Sequence, residues 1–262
     1  MYTKRGQATI VIFLAIIILA IILLIFFFKS RVYIGAETPE DLARELDPII
    51  RHVENCLYET TQDSAVLLAQ QGGYIIPQEN TYRLYQDQKI SYLCYFIPRY
   101  KTCSNRYLRL SDIETQLEQD INQRLNTCLK VKSFEKAGYT ITTGNRDLKI
   151  AVGTDDIIAT LNYPVKLTKD NLKQEITIFR KAVPLPLGRL FSSAIDIINL
   201  EASFGIFEPL TYSIFKSKFT NKPYIIQRLQ PYPDKLYILQ LQNTPTEKEP
   251  FIFQFFIQGE SR

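Results

Sequence analysis

Four cysteines and a single histidine are the residues of this 262-residue chain best suited to chemistry. Cys94 and Cys103 flank the eight residues YFIPRYKT, which can turn back on themselves. Cys56 and Cys128 each sit in a helix-like stretch and are each followed by Leu. An even number of cysteines, all placed after an apolar N-terminal run, predicts two disulfides formed in an oxidising compartment. Their placement favours Cys94–Cys103 with Cys56–Cys128, out of the three pairings that four cysteines allow. Four buried thiols are the alternative, because free Cys packs well. Zinc ligation would ask for tighter C-x-x-C spacing. His52 precedes Cys56 by four residues, a helical spacing at which two side chains can share a metal. No third ligand accompanies them, so His52 reads as a packing or surface residue, and neither a metal nor another cofactor is expected.

The remaining polar residues point away from catalysis. A Ser-His-Asp or Cys-His site would have to use His52, and no nucleophile motif lies near it. Asp155-Asp156 falls in a hairpin turn, where Asp is favoured by local backbone bonding. Glu201 comes late on an amphipathic helix over 187–203 and is expected to face water or pair locally. Gln71-Gly72-Gly73-Tyr74 is a helix stop, because no helix start and no Lys-Ser/Thr follow as a phosphate loop requires. The sixteen tyrosines, in a chain without tryptophan, are more suggestive. Tyr82, Tyr85, Tyr92, Tyr95, Tyr100 and Tyr107 cluster around the Cys94/Cys103 pair and form a candidate aromatic binding surface. Half-buried strands also favour Tyr, which is the structural alternative. A binding or structural role is expected rather than an enzyme.

These residues need an element that sets their compartment. From Ala8 to Phe28 there are 21 residues without a charge, and only Thr9 is polar. At about 1.5 Å per residue such a helix covers about 30 Å, the hydrocarbon thickness of a bilayer. A cleavable secretory signal has a shorter apolar stretch and a small-x-small site, which KSRVYIGAETPE lacks. The reading is a transmembrane helix over 8–28, with the lipid bilayer as partner and a short cytoplasmic head over 1–7. Lys4 and Arg5 before the run nearly balance Lys29 and Arg31 after it. The cysteines therefore decide the orientation, with the main domain outside the cell and a cell-envelope protein as its expected partner. Setting aside Lys4 and Arg5, 29 basic residues face 27 acidic ones, a balance that excludes a nucleic-acid partner.

Periodicity gives the rest of the organisation. A linker and first short helix are expected over 29–46, with Thr38-Pro39 as a helix start and Asp47-Pro48 as a kink or restart. A helical region with the cysteines follows over 47–137. It carries strand-like runs at Tyr82–Tyr85 and Ile90–Ile97, and a second helix opened by a capping box at Ser111-Asp112-Ile113-Glu114. From 138 to 262 the period shifts toward two, giving an antiparallel meander packed with the amphipathic helix 187–203. The expected class is α+β.

Lys4-Arg5-Gly6-Gln7 ahead of an apolar helix resembles the class III signal of archaeal type IV pilin-like proteins. That resemblance implies peptidase cleavage between Gly6 and Gln7 with the apolar helix retained. Val11 occupies the mature position where those proteins usually carry Glu. More loosely, the RGQ motif, the apolar helix, Cys56-Leu57 followed by QGGY, and the Tyr-rich cysteine pair resemble single-span exported proteins of small-genome archaea. A membrane-anchored cell-surface protein is thus the leading expectation. A pilin-like filament subunit is the second, and an exported enzyme the third.

Overall fold

The structure is a computed structural model that describes residues 17–23, 39–100, 102–135, 139–170, 172–220, 222–242 and 250–260. The chain divides into two compact units, Met1–Arg44 and Glu45–Arg262, so the expected regions 47–137 and 138–262 lie in one unit. Within the first unit, residues 17–23 are helical with their side chains exposed. Among the described residues no helix is long and apolar enough to cross a membrane. Most of the run 8–28, the Gly6-Gln7 bond and residues 29–38 of the region expected as a linker and first short helix lie outside the described residues.

Helix α1 runs over Pro39–Gln70 with Pro48 inside it, so the chain does not restart a helix at Asp47-Pro48. Proline removes one backbone donor, but the apolar stripe continues across it. Leu46, Ile49, Val53, Cys56, Leu57, Ala65, Leu68 and Ala69 are all buried, at three- and four-residue spacing. The helix stops at Gly72 and Gly73, with φ of 75° and 91°, where the Gly73 N–H returns to the Leu68 carbonyl at 2.9 Å. That left-handed backbone is the ordinary helix terminator, and it favours glycine.

Strands β1 (Tyr82–Tyr85), β2 (Gln88–Ile97) and β3 (Thr102–Asn105) follow, then helix α2 (Leu110–Cys128). Helix α2 begins earlier than the expected capping box. Its N-cap is Arg109, whose backbone N–H donates to the Asp112 carboxylate at 3.1 Å. It lies antiparallel to α1: Cys128 bonds Cys56, the Ser64 hydroxyl donates to Asp120 at 2.6 Å, and Ile113 packs near Gly73.

The second half holds β4 (Thr140–Thr143), β5 (Asp147–Val152), β6 (Ile157–Lys169), β7 (Leu172–Val183), α3 (Leu187–Phe204), α4 (Pro209–Thr220), β8 (Tyr224–Leu229), β9 (Lys235–Leu241) and β10 (Ile252–Ile257). The expected single meander is not what forms. Strands β4 to β7 make one antiparallel sheet around β6, with β4 and β5 pairing successive halves of that strand. Strands β8 to β10 instead join the N-terminal strands in the order β1-β2-β10-β9-β8, with β3 also on β2 and β10 parallel to β2. Helix α3 packs on this mixed sheet rather than on the meander. The architecture is α+β, two sheets and four helices longer than a turn among the described residues of the second unit.

Side chains close the joints between these layers. Glu118 and Glu114 of α2 accept the backbone N–H groups of Ile150 and Val152 at 3.0 and 2.9 Å. They cap the edge of β5 that would otherwise invite another strand. At the start of α3, Gly188 lies against the Gly153 carbonyl so closely that a Cβ there would overlap it. Arg189 donates to both oxygens of Asp155 at 2.7 and 2.5 Å, joining α3 to the β5–β6 turn.

The Arg189 guanidinium holds the Asp155 carboxyl down at about 2, against the ordinary carboxylate range. A depressed acid stabilises the fold above its unfolded pKa and loses that contribution as pH falls through the folded one. Asp155→Asn should therefore lower the melting temperature at neutral pH, and the gap to the parent should close as pH drops toward about 2. Thermal scans from pH 7 downward check this, and a gap independent of pH would contradict it.

Candidate functional site

The β1–β2 hairpin carries four of the six tyrosines, Tyr82, Tyr85, Tyr92 and Tyr95, and its register fixes which side chains share a face. Arg83 pairs opposite Ile90, and Tyr85 opposite Gln88. On that face Phe256 of β10 is fully buried, with Tyr85 and Tyr92 packed around it at centroid distances of 6.3 and 5.6 Å. Tyr95 stands 5.7 Å from Tyr92. Among the described residues no ring contact joins Tyr82, Tyr100 or Tyr107 to this group. The structure thus brings together Tyr85, Tyr92 and Tyr95, leaves Tyr100 at 64% exposure, and leaves Tyr82 and Tyr107 half-buried.

Cations cover these rings. Arg83 lies 5.6 Å over Phe256, Lys89 5.1 Å over Tyr82, Arg106 5.1 Å over Tyr95 and Arg99 5.6 Å over Tyr100. Each cation is drawn to the negative face of its ring. The register puts Tyr82 and Lys89 on the opposite face of the hairpin from Arg83, Tyr85 and Tyr92, while Arg99, Tyr100 and Arg106 lie beyond it.

Asp234, in the loop before β9, holds the arrangement in place. Its carboxylate is 4% exposed and accepts from Arg83 at 2.5 Å, the Tyr92 hydroxyl at 2.7 Å and the Gly259 N–H at 3.0 Å. Burial, aided by the bond to Asp234, pushes the Tyr92 phenol far above its ordinary value, so it stays a neutral donor. Burial likewise raises Tyr95 and Tyr74. None of these groups is poised as a base or nucleophile.

A second polar cluster lies at the C-terminal end of α3. The sequence places Glu201 facing water or paired locally; in the structure it is 2% exposed and pairs across to β9. It accepts from Lys235 at 2.6 Å and makes a very short hydrogen bond with the Tyr237 hydroxyl. Burial and then that bond raise Tyr237 well above its ordinary value. Glu201 lines a cavity of about 140 Å³ with Lys235, Phe96, Cys103 and Gln258. The signal is present in the sequence: Glu201 continues the Leu190, Ala194, Ile197, Ile198 stripe at helical spacing. A buried carboxylate that pairs with an amine on one oxygen and a phenol on the other acts as a structural tie between α3 and β9.

Both disulfides have the pairing that cysteine placement favoured, with Cα–Cα distances of 5.8 Å for Cys56–Cys128 and 5.4 Å for Cys94–Cys103. Cys94–Cys103 joins β2 to β3 beside the tyrosines. His52 packs on Phe134 at 5.1 Å and lies 3.2 Å from the Cys128 carbonyl. Among the described residues no three His, Cys, Asp or Glu side chains gather as metal ligands. No family model, no curated protein and no solved structure matches this chain.

Removing Asp234 takes an anion from the half-buried Arg83, which keeps its bond to the Pro231 carbonyl, and leaves the Tyr92 phenol and the Gly259 N–H without their acceptor. Removing only the Tyr92 hydroxyl deletes one bond. Asp234→Ala should cost about 3 kcal/mol or more, and Tyr92→Phe about 1 kcal/mol. Urea unfolding in detergent measures both, and equal small losses would show that Asp234 does not organise the tyrosine face.

Proposed function

We propose that this protein is a membrane-tethered extracytoplasmic module whose aromatic, cation-bearing β1–β2 face holds a partner in the cell envelope. The observation that carries the reading is the pair of closed disulfides in a unit preceded in sequence by a charge-free 21-residue run. Disulfides persist in oxidising compartments, and a run of that length fits a bilayer. Together they favour export of the second unit with retention by the first. The role is read as binding or structural rather than enzymatic, and the use of the most buried acids, Asp234 and Glu201, as ties between elements supports that reading.

A pilin-like filament subunit is the second reading, favoured by Lys4-Arg5-Gly6-Gln7. Helices leaving lipid to pack together rely on small residues or polar links. Here Ala8, Ala15 and Ala20 are the small residues of the run, and Val11 offers no acid. The tethered module therefore takes precedence.

The test is fractionation with topology. The protein should stay with membranes through salt and carbonate washing, with or without its first six residues, and protease added to intact cells should remove the second unit. A soluble form beginning near Glu37, or a domain protected from external protease, would contradict the proposal. Long fibres containing the protein would promote the filament reading.

A further inference from the structure

Helix α4, PLTYSIFKSKFT, has its polarity turned inside out. A helix on a soluble domain places apolar residues against the core and polar ones in water. In α4 the inward arc is Tyr212, Ser213, Lys216, Ser217 and Thr220, all half-buried. Polar bonds hold it. The Tyr212 hydroxyl donates to Asp196 of α3 at 2.6 Å, Lys216 pairs with the same carboxylate at 2.8 Å, and the Tyr224 backbone N–H donates to Ser217 at 2.9 Å. The outward arc is Leu210, Ile214, Phe215 and Phe219, exposed by 68, 62, 56 and 73%. Phe215 and Phe219 pack on each other at 4.5 Å rather than on the domain. Phe204, the last residue of α3, and Ile206, in the connection leading to α4, are 73 and 67% exposed.

We propose that this face lies in the interfacial layer of a membrane containing anionic lipids, the same membrane that holds the tether. The inference rests on the tethered reading, and Lys218 selects the occupant. It sits in the middle of the outward arc, is exposed, and has no ion-pair partner among the described residues, while Lys216 and Lys222 are paired with Asp196 and Asp155. A protein partner would have to bury that amine, and charged residues, lysine above all, are depleted from interface centres. At a lipid surface the lysine stem lies along the apolar layer while the amine reaches the phosphates. Within α4 no acid stands on the outward arc, and the exposed Glu208 just before it accepts from the Leu210 N–H at the helix start at 3.3 Å. Ten residues, 29–38, span at most roughly 35 Å of chain whatever their conformation, so a tether before them would raise the effective concentration of a weak lipid contact.

The chain has no tryptophan, so Phe219→Trp places a unique fluorophore on this face, and Leu210→Trp a second at its other end. Each full-length variant is reconstituted in vesicles of equal phosphatidylcholine and phosphatidylglycerol, with or without brominated acyl chains. Ile76→Trp, at a site 81% exposed beside Gln116 and Gln119 of α2, is the control. Both α4 reporters should emit at shorter wavelength and lose most of their intensity to brominated lipid, while the control stays unshifted and unquenched. Adding Lys218→Glu to the Phe219→Trp variant should reduce the quenching of that reporter. Unquenched α4 reporters overturn the proposal, and a shifted but unquenched emission that grows with protein concentration assigns the face to a second copy instead. Carbonate resistance reports the tether separately. Retained protein with unquenched reporters refutes only the α4 contact, whereas quenched reporters on carbonate-released protein uphold that contact and refute the tether.

Discussion

The apolar stripe of α1 is the constraint from which the second unit is built. It must bury a face running from Leu46 to Ala69, and no single neighbour covers that length. The helix is tied to α2 by Cys56–Cys128 and Ser64–Asp120, and to the meander by the Glu54–Lys181 pair at 3.2 Å. Its end meets the mixed sheet through the Ser91 N–H on the Gln71 carbonyl and the Gln254 side chain on the Gln70 carbonyl. Both sheets and α2 thus each make contact with this one element. Closing a loop of 72 residues, Cys56–Cys128 restrains the unfolded chain by about 4 kcal/mol on the chain-entropy model. The loop contains β1 to β3, so the hairpin that bears the tyrosines is enclosed by the same clamp.

That organisation leaves two surfaces whose composition the core does not explain. The β1–β2 face is rigid because Asp234 fixes Arg83 and Tyr92 from across the sheet. Preorganised rings with cations over them lose little freedom when they meet a partner. Helix α4 spends its polar side chains on its own domain and leaves its apolar ones outside. One surface suits a polar, specific contact and the other a non-directional one. The tethered reading gives each a different counterpart, an envelope component and the lipid surface.

Local features were legible in the sequence because local physics decides them. The α1 stripe, the Gly72-Gly73 stop, the β5–β6 turn at Asp155-Asp156, and the cysteine placement all follow from short-range periodicity and turn chemistry. Pro48 misled because proline argues against a helix interior, while burial of Leu46, Ile49 and Val53 on either side outweighed the lost bond. The split of the meander was not legible. Parallel pairing of β10 with β2 joins residues more than 150 apart, and strand pattern carries no information about such partners. Asp234 gave no sign because its donors arrive from β1, β2 and the segment after β10. Helix α4 was missed for the opposite reason: its apolar residues do not mark a core face, so the periodicity that finds buried helices had nothing to find.

The central claim is that an α1-centred domain, closed by two specific disulfides, sits in an oxidising compartment. The direct measurement is disulfide mapping by proteolysis and mass spectrometry on protein taken from native membranes with thiols blocked at lysis. The account predicts cross-linked peptides joining Cys56 to Cys128 and Cys94 to Cys103, with no blocked cysteine. Four blocked thiols would move the domain to a reducing compartment, and any other pairing would contradict the packing of α1 against α2.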